Sequence, residues 1–157
     1  IGGASVGAHD HARPALAKLG LSLVVEKVSI RPGKPTWFGV AAGKPVLGLP
    51  GNPASALVCA QLFLKPLIQA MLGQAAEPVM RTARLMQALP ANGPREQYLR
   101  ARWHSDEEAT LWVRAFEDQD SSLLSVFAAA NALIRLPPGA PAQGVGALAE
   151  MLPLDMP

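Results

Sequence analysis

Two hydrophobic periods divide this chain. From Asp10 to Leu19, Leu16 and Leu19 recur at helical spacing, with Asp10 placed as an N-cap and Gly20 as the residue that stops the helix. Leu21 to Ile30 is rich in Leu and Val and predicts a strand. Trp37 to Val40 and Pro45 to Leu49 predict two short strands joined by a turn over Ala41-Ala42-Gly43-Lys44. Pro53 to about Leu72 predicts a long helix. It is apolar on most of its surface, with Gln61, Lys65 and Gln69 as one polar stripe, a pattern that predicts a largely buried helix. Pro66 removes the bond to the Leu62 carbonyl and predicts a kink.

Past Gly73–Pro78 the period changes to alternation. Leu99, Ala101 and Trp103 share one face, and Tyr98, Arg100 and Arg102 the other. Leu111 to Phe116 alternates as well, after the solvated turn Ser105-Asp106-Glu107-Glu108. Ser122 to Ala130 predicts a short helix, Ala132 to Leu136 a strand, Pro137-Pro138-Gly139 a turn, and Val145 to Leu152 a final strand. The pattern therefore predicts two domains: an α/β domain over residues 1–74, and a small all-β domain over residues 77–157.

The centre of the first domain is Leu47-Gly48-Leu49-Pro50-Gly51-Asn52-Pro53-Ala54-Ser55-Ala56, a strand, a tight turn and a helix start. Asn52 suits the N-cap and Pro53 the first helical position, where its missing N–H is not needed. Such a turn presents backbone N–H groups and a helix N-terminus, which favour an anion. Gly2-Gly3-Ala4-Ser5-Val6-Gly7 is a second glycine-rich loop that permits close backbone approach to a ligand.

Composition narrows the partners. Of the 157 residues 50% are hydrophobic and 17% charged, which marks a globular chain. A net charge of +2 is too small for a nucleic-acid or membrane surface, and Ala54 to Leu72 is too interrupted by polar residues for a membrane span. The single cysteine, Cys59, excludes an intramolecular disulfide, fits a reducing, cytoplasmic compartment and reads as packing rather than a nucleophile. His9 and His11 flank Asp10 at a spacing that matches no standard zinc signature. The start at Ile1, running at once into a loop, is expected of a fragment of a longer protein.

An ordered series of motifs then carries a resemblance. Gly2-Gly3-Ala4-Ser5-Val6-Gly7 with Asp10, then Lys27, then Arg31-Pro32-Gly33-Lys34-Pro35, then Gly48-Leu49-Pro50-Gly51-Asn52-Pro53 with Ser55-Ala56, resembles the molybdopterin molybdenumtransferase family, which includes bacterial MoeA and the C-terminal domain of gephyrin. Gln119, Ser121-Ser122-Leu123-Leu124-Ser125 and Ala130-Asn131-Ala132-Leu133-Ile134 are similar to the family's C-terminal domain. The resemblance covers the last two of four domains, the first of them a partial three-layer molybdopterin-binding domain without its N-terminal half.

The resemblance implies insertion of molybdate into adenylylated molybdopterin (molybdopterin-AMP) with release of AMP and help from Mg²⁺. It implies Asp10, Lys27, Arg31 and Lys34 as catalytic residues. It implies Gly2, Gly3, Ser5, Gly7, Pro50, Gly51, Asn52 and Pro53 as cofactor-binding residues, with Arg100 and Ser121 facing the cleft of a partner subunit in a homodimer. The chemistry agrees: Lys27, Arg31, Lys34 and the loop amides offer positive potential to molybdate and phosphate oxygens. Asp10 is the implied Mg²⁺ ligand, and one carboxylate makes a weak site. Arg31 stands where the family often has Lys, and Ala4 where Val is usual. The family's other carboxylates would lie upstream, so this chain by itself is expected to be inactive. Two other readings are a molybdopterin adenylyltransferase, which lacks the β domain, and a non-enzymatic gephyrin-like scaffold.

Overall fold

A computed structural model describes residues 11–154. The chain divides into two compact units, Ile1–Ala76 and Glu77–Pro157.

In the first unit helix α1 (Ala12–Lys18) has His11, not Asp10, at its N-cap position; Asp10 itself lies outside the described residues. The helix stops as its sequence predicts: Gly20 has φ +77°, its N–H donates to Ala17 O, and the Leu21 N–H donates to Leu16 O. These two bonds satisfy the last carbonyls, and only a residue tolerant of positive φ fits there. Strand β1 (Ser22–Val25) is shorter than the apolar run suggested. The run ends at the exposed pair Glu26 and Lys27, and Ile30–Arg31 forms a separate two-residue strand, β2. Strands β3 (Trp37–Ala41) and β4 (Lys44–Gly48) form a hairpin, with Ala42 at φ 50° and Gly43 at φ 74°, the left-handed pair a two-residue hairpin turn requires. The described sheet is antiparallel, in the order β1-β3-β4.

Helix α2 (Pro53–Cys59) continues through a π turn (Ala60–Leu64) into helix α3 (Lys65–Met71). Pro66 explains the wide turn. It cannot donate to Leu62 O, and an i→i+5 register just before it absorbs the misfit. The expected burial is corrected. Ala54, Ser55, Val58 and Cys59 are buried, whereas α3 buries no residue and Met71 is 65% exposed. Apolar composition sets the tendency to be buried, but a neighbour must supply the cover. Among the described residues that cover reaches only the first two turns.

The second unit is a closed barrel, which gives the expected small β domain its shape. Its strands are β5 (Arg81–Leu85), β6 (Glu96–Ser105), β7 (Leu111–Ala115), β8 (Ala132–Leu136) and β9 (Leu148–Pro153), with one short helix, α4 (Leu124–Ala129). Their order is β6-β7-β5-β9-β8, and β8 pairs back to β6. Closure removes the exposed sheet edges. The interior is filled by Ala83, Leu85, Leu99, Val113, Ile134 and Met151 among others. Strand β5 escapes the sequence pattern because its inward pair, Ala83 and Leu85, is flanked by Arg81, Thr82 and Arg84, which leaves little apolar signal. Arg100 departs from the alternation: it sits on the outward register of β6 yet is 1% exposed.

Candidate anion-binding site

Strand β4 leaves the first sheet at Gly48, which lies opposite Trp37 at the start of β3. The buried Trp37 indole occupies the space above Gly48, and a Cβ added there would lie 2.0 Å from the ring. The glycine is required by that approach. The chain then turns through buried Pro50 and exposed Gly51 and Asn52. Asn52 is extended (φ −68°, ψ 122°), its carbonyl accepts the Ala56 N–H at 2.8 Å, and Pro53 opens α2. The N–H groups of Ala54 and Ser55 precede the first intrahelical bond, so this end carries the positive end of the helix dipole.

The loop Arg31–Pro35 reaches the same end of the hairpin, because it runs through Thr36 into Trp37. It is pinned to α2. Gly33 (φ +119°) packs so closely on Cys59 that a Cβ would lie 2.4 Å from Sγ. The Thr36 N–H donates to Gly33 O at 2.9 Å, and the Thr36 hydroxyl donates to the same carbonyl at 2.8 Å and lies 3.2 Å from Cys59 Sγ. The Val28 N–H donates to Lys34 O at 3.2 Å, and the Arg31–Pro32 peptide is cis. Burial pushes the Cys59 thiol up, against the Thr36 hydroxyl, so it stays protonated and serves packing.

The described residues of the first unit thus bring Pro50, Gly51, Asn52 and Pro53 to the hairpin end that also carries Arg31 and Lys34, both exposed. Lys27 is exposed in the connection before β2. Gly2, Gly3, Ser5, Gly7 and Asp10 lie outside the described residues. Arg13 was not anticipated: its guanidinium stands 5.8 Å from the Trp37 ring centroid, a cation–π contact that no motif marks. A magnesium site does not fit the described residues. The first unit has one described carboxylate, Glu26, and no described group of three or more His, Cys, Asp or Glu could hold a metal.

Arg100 and Ser121 belong to the second unit. The Arg100 guanidinium donates to Asp120 O (2.8 Å), to Gln119 Oε1 (3.3 Å) and to Leu123 O (3.5 Å), so it is spent on the loop that carries Ser121. Burial draws Arg100 below its ordinary range, and Asp118 and Asp120 oppose that. The Asp120 carboxylate accepts both the Ser122 N–H and its hydroxyl at 2.8 Å, which fixes the turn beside Ser121. A cavity of ≈ 270 Å³ opens beside the same loop, floored by Leu89, Leu99 and Phe116 and walled by Gln119.

Residues 1–70 match the family described as "Probable molybdopterin binding domain", and residues 82–154 match "MoeA C-terminal region (domain IV)". The chain is 36% identical over 143 residues to a molybdopterin molybdenumtransferase of Nostoc sp., covering 88% of this chain and 33% of that protein. It is 36% identical over 139 residues to the Bacillus subtilis protein of the same name, covering 88% and 32%. A crystal structure of a molybdopterin biosynthesis MoeA protein from Pyrococcus horikosii superposes with a TM-score of 0.75 at 28% identity, over 92% of this chain and 34% of that one. The chain spans about a third of the length of these relatives.

Proposed function

Because the chain belongs to the MoeA family of molybdopterin molybdenumtransferases, with a molybdopterin-binding domain followed by the MoeA C-terminal region, we propose that its protein inserts molybdate into adenylylated molybdopterin, releasing AMP, in molybdenum cofactor biosynthesis. The observation that carries this reading is the pinned loop Arg31–Pro35 at the hairpin end where α2 begins. Molybdate and the cofactor phosphate are both oxyanions. Lys34 and Arg31 supply charge-assisted donors, and the amides of Ala54 and Ser55 supply fixed dipoles that need no reorganisation when the anions arrive. Pinning through Gly33, Thr36 and Cys59 keeps the cations from collapsing onto the turn and holds them for a ligand.

Lys27 adds positive potential on the approach. Arg100 acts through the loop it holds, presenting Ser121 to the cleft of a second subunit in a homodimer. Gly2, Gly3, Ser5, Gly7 and Asp10 complete the reading from outside the described residues. Mg²⁺ would help neutralise the phosphates, with Asp10 as one ligand; no step is assigned to it because the described residues do not form its site. The reducing cytoplasm fits a buried, protonated Cys59. The barrel domain separates this protein from an adenylyltransferase.

The test is molybdate insertion by the whole protein. Lys34→Ala should lower turnover of molybdopterin-AMP by about tenfold or more, as loss of a charge-assisted contact of roughly 1.5–3 kcal/mol implies. Stability should change by less than about 0.5 kcal/mol, because Lys34 is exposed. Unchanged turnover would remove Lys34 from the site, and a wild-type protein that leaves molybdopterin-AMP and molybdate unreacted would overturn the function.

A further inference from the structure

The outer face of β5, β7 and β6 in the barrel carries a charge pattern that the anion site does not use. On these strands Ala83, Leu85, Val113, Ala115 and Ala101 point inward and are buried, so the alternating Arg84, Trp112, Arg114 and Arg102 point outward. The register sets Arg84 beside Trp112 and Arg114 directly opposite Arg102. All three arginines are exposed. The bonds they make go to neutral acceptors: Arg114 Nε donates to Gln87 Oε1 at 3.1 Å, and Arg84 Nη1 donates to Gly146 O at 3.1 Å. The described ion pairs of the barrel instead join Arg135 to Glu96 and Glu150. Like charges directly opposite on a sheet destabilise it. The fold therefore holds a repulsive pair where a carboxylate partner would be the simple stabilising choice.

The face is also partly apolar and rigid. The Trp112 indole N–H donates to Asp106 Oδ2 at 2.7 Å, which fixes the ring. Leu148, registered beside Arg84, is 61% exposed. A fixed Trp and arginines held on strands are the residue types enriched in protein–protein hot spots, and the exposed Leu148 adds apolar area beside them.

We propose that this face docks an acidic, partly apolar segment of a partner protein. Charge complementarity selects that occupant: carboxylates would relieve the Arg102–Arg114 repulsion, while apolar side chains would cover Trp112 and Leu148. A second copy of this chain is a poor fit, because a two-fold contact would bring the arginines against their own equivalents. A nucleic acid is a poor fit too. The whole sequence carries only +2, and a continuous phosphate chain could not step around Asp106, Glu107 and Glu108 on the β6–β7 turn as a short peptide with spaced carboxylates can.

The experiment uses the 157-residue chain and a dye-labelled synthetic peptide of alternating Glu and Leu, followed by fluorescence anisotropy at increasing salt. Expected are saturable binding that weakens with salt, a loss of about tenfold or more in affinity for Arg102→Glu/Arg114→Glu, and a smaller loss for Arg84→Ala. Lys44→Glu, at the exposed start of β4 in the other unit, should bind as the parent does. The Arg84→Ala result stands alone if the double variant does not fold. The proposal is overturned by absent binding, by equal binding in the arginine variants, by oligothymidylate binding as tightly as the peptide, or by a dimer that the double variant disperses.

Discussion

Gln119 satisfies both backbone polar groups of Arg100 with a single carboxamide: its Oε1 accepts the Arg100 N–H at 3.0 Å and its Nε2 donates to Arg100 O at 3.0 Å. Asn131 does the same for Trp103, accepting its N–H at 2.7 Å and donating to its carbonyl at 3.0 Å. Both sit where β6 changes neighbours. It pairs with β8 over Gln97–Ala101 and with β7 over Ala101–Ser105. Each strand ends at Ala101, and a side-chain amide replaces the missing strand just beyond.

Asn131→Ala should therefore destabilise the barrel by about 1–3 kcal/mol, the cost of leaving the Trp103 donor and acceptor unpaired. Asn131→Asp keeps the acceptor and loses the donor, so it should fall between. Urea unfolding followed in the barrel's amide exchange reads both. Equal stability of all three proteins would mean that water replaces the carboxamide without loss.

Gly33→Ala should strain the anion loop twice, through φ +119° and through contact with Cys59. The expected loss is about 1–3 kcal/mol, accompanied by lower molybdate insertion in the whole protein. Combining it with Cys59→Ala should recover the packing part and leave the backbone part, which a double-mutant cycle separates. Additive losses would show that the Gly33–Cys59 contact does not couple the loop to α2.

The hairpin, the turn into α2 and the stop of α1 were legible because each is written in local residues: Ala42-Gly43, Pro50-Gly51-Asn52-Pro53 and Gly20. The burial of Arg100 was not. Period-two reading assigns faces to one strand at a time, and the loop over Gln119–Leu123 that covers Arg100 comes from distant sequence. The bracing roles of Gln119 and Asn131 were hidden for the same reason. The exposure of α3 was missed because composition cannot say whether a neighbour is present. For the site, the pinning of Lys34's loop by Cys59 spans a separation that no motif encodes.

Limited proteolysis of the 157-residue chain should cut first between Gly73 and Pro78. The two compact units meet at Ala76 and Glu77, and residues 71–75 are all exposed. Two protected fragments should result. First cuts inside either unit would argue against independent cores.

Acid should weaken the barrel through Glu96. Burial raises the Glu96 carboxyl, but hydrogen bonds from Arg135 (Nη2 at 2.8 Å, Nε at 3.1 Å) and from the Tyr98 hydroxyl (2.6 Å) outweigh it and hold the group below its usual 4.5. The same contacts leave Tyr98 and Arg135 raised, Tyr98 chiefly by burial and Arg135 chiefly by its bond to Glu96. A carboxyl whose folded value is depressed binds fewer protons folded than unfolded. Its stabilising contribution is complete above 4.5, the unfolded value, and fades as pH falls below 4.5 and through the folded value. Glu96→Gln removes that proton linkage. The difference in urea midpoint between parent and Glu96→Gln should thus be constant from neutral pH down to about 5 and shrink steadily below it. A difference that stays flat down to pH ~3 would mean that Glu96 titrates alike in both states, and that the folded contacts with Arg135 and Tyr98 do not favour its ionised form.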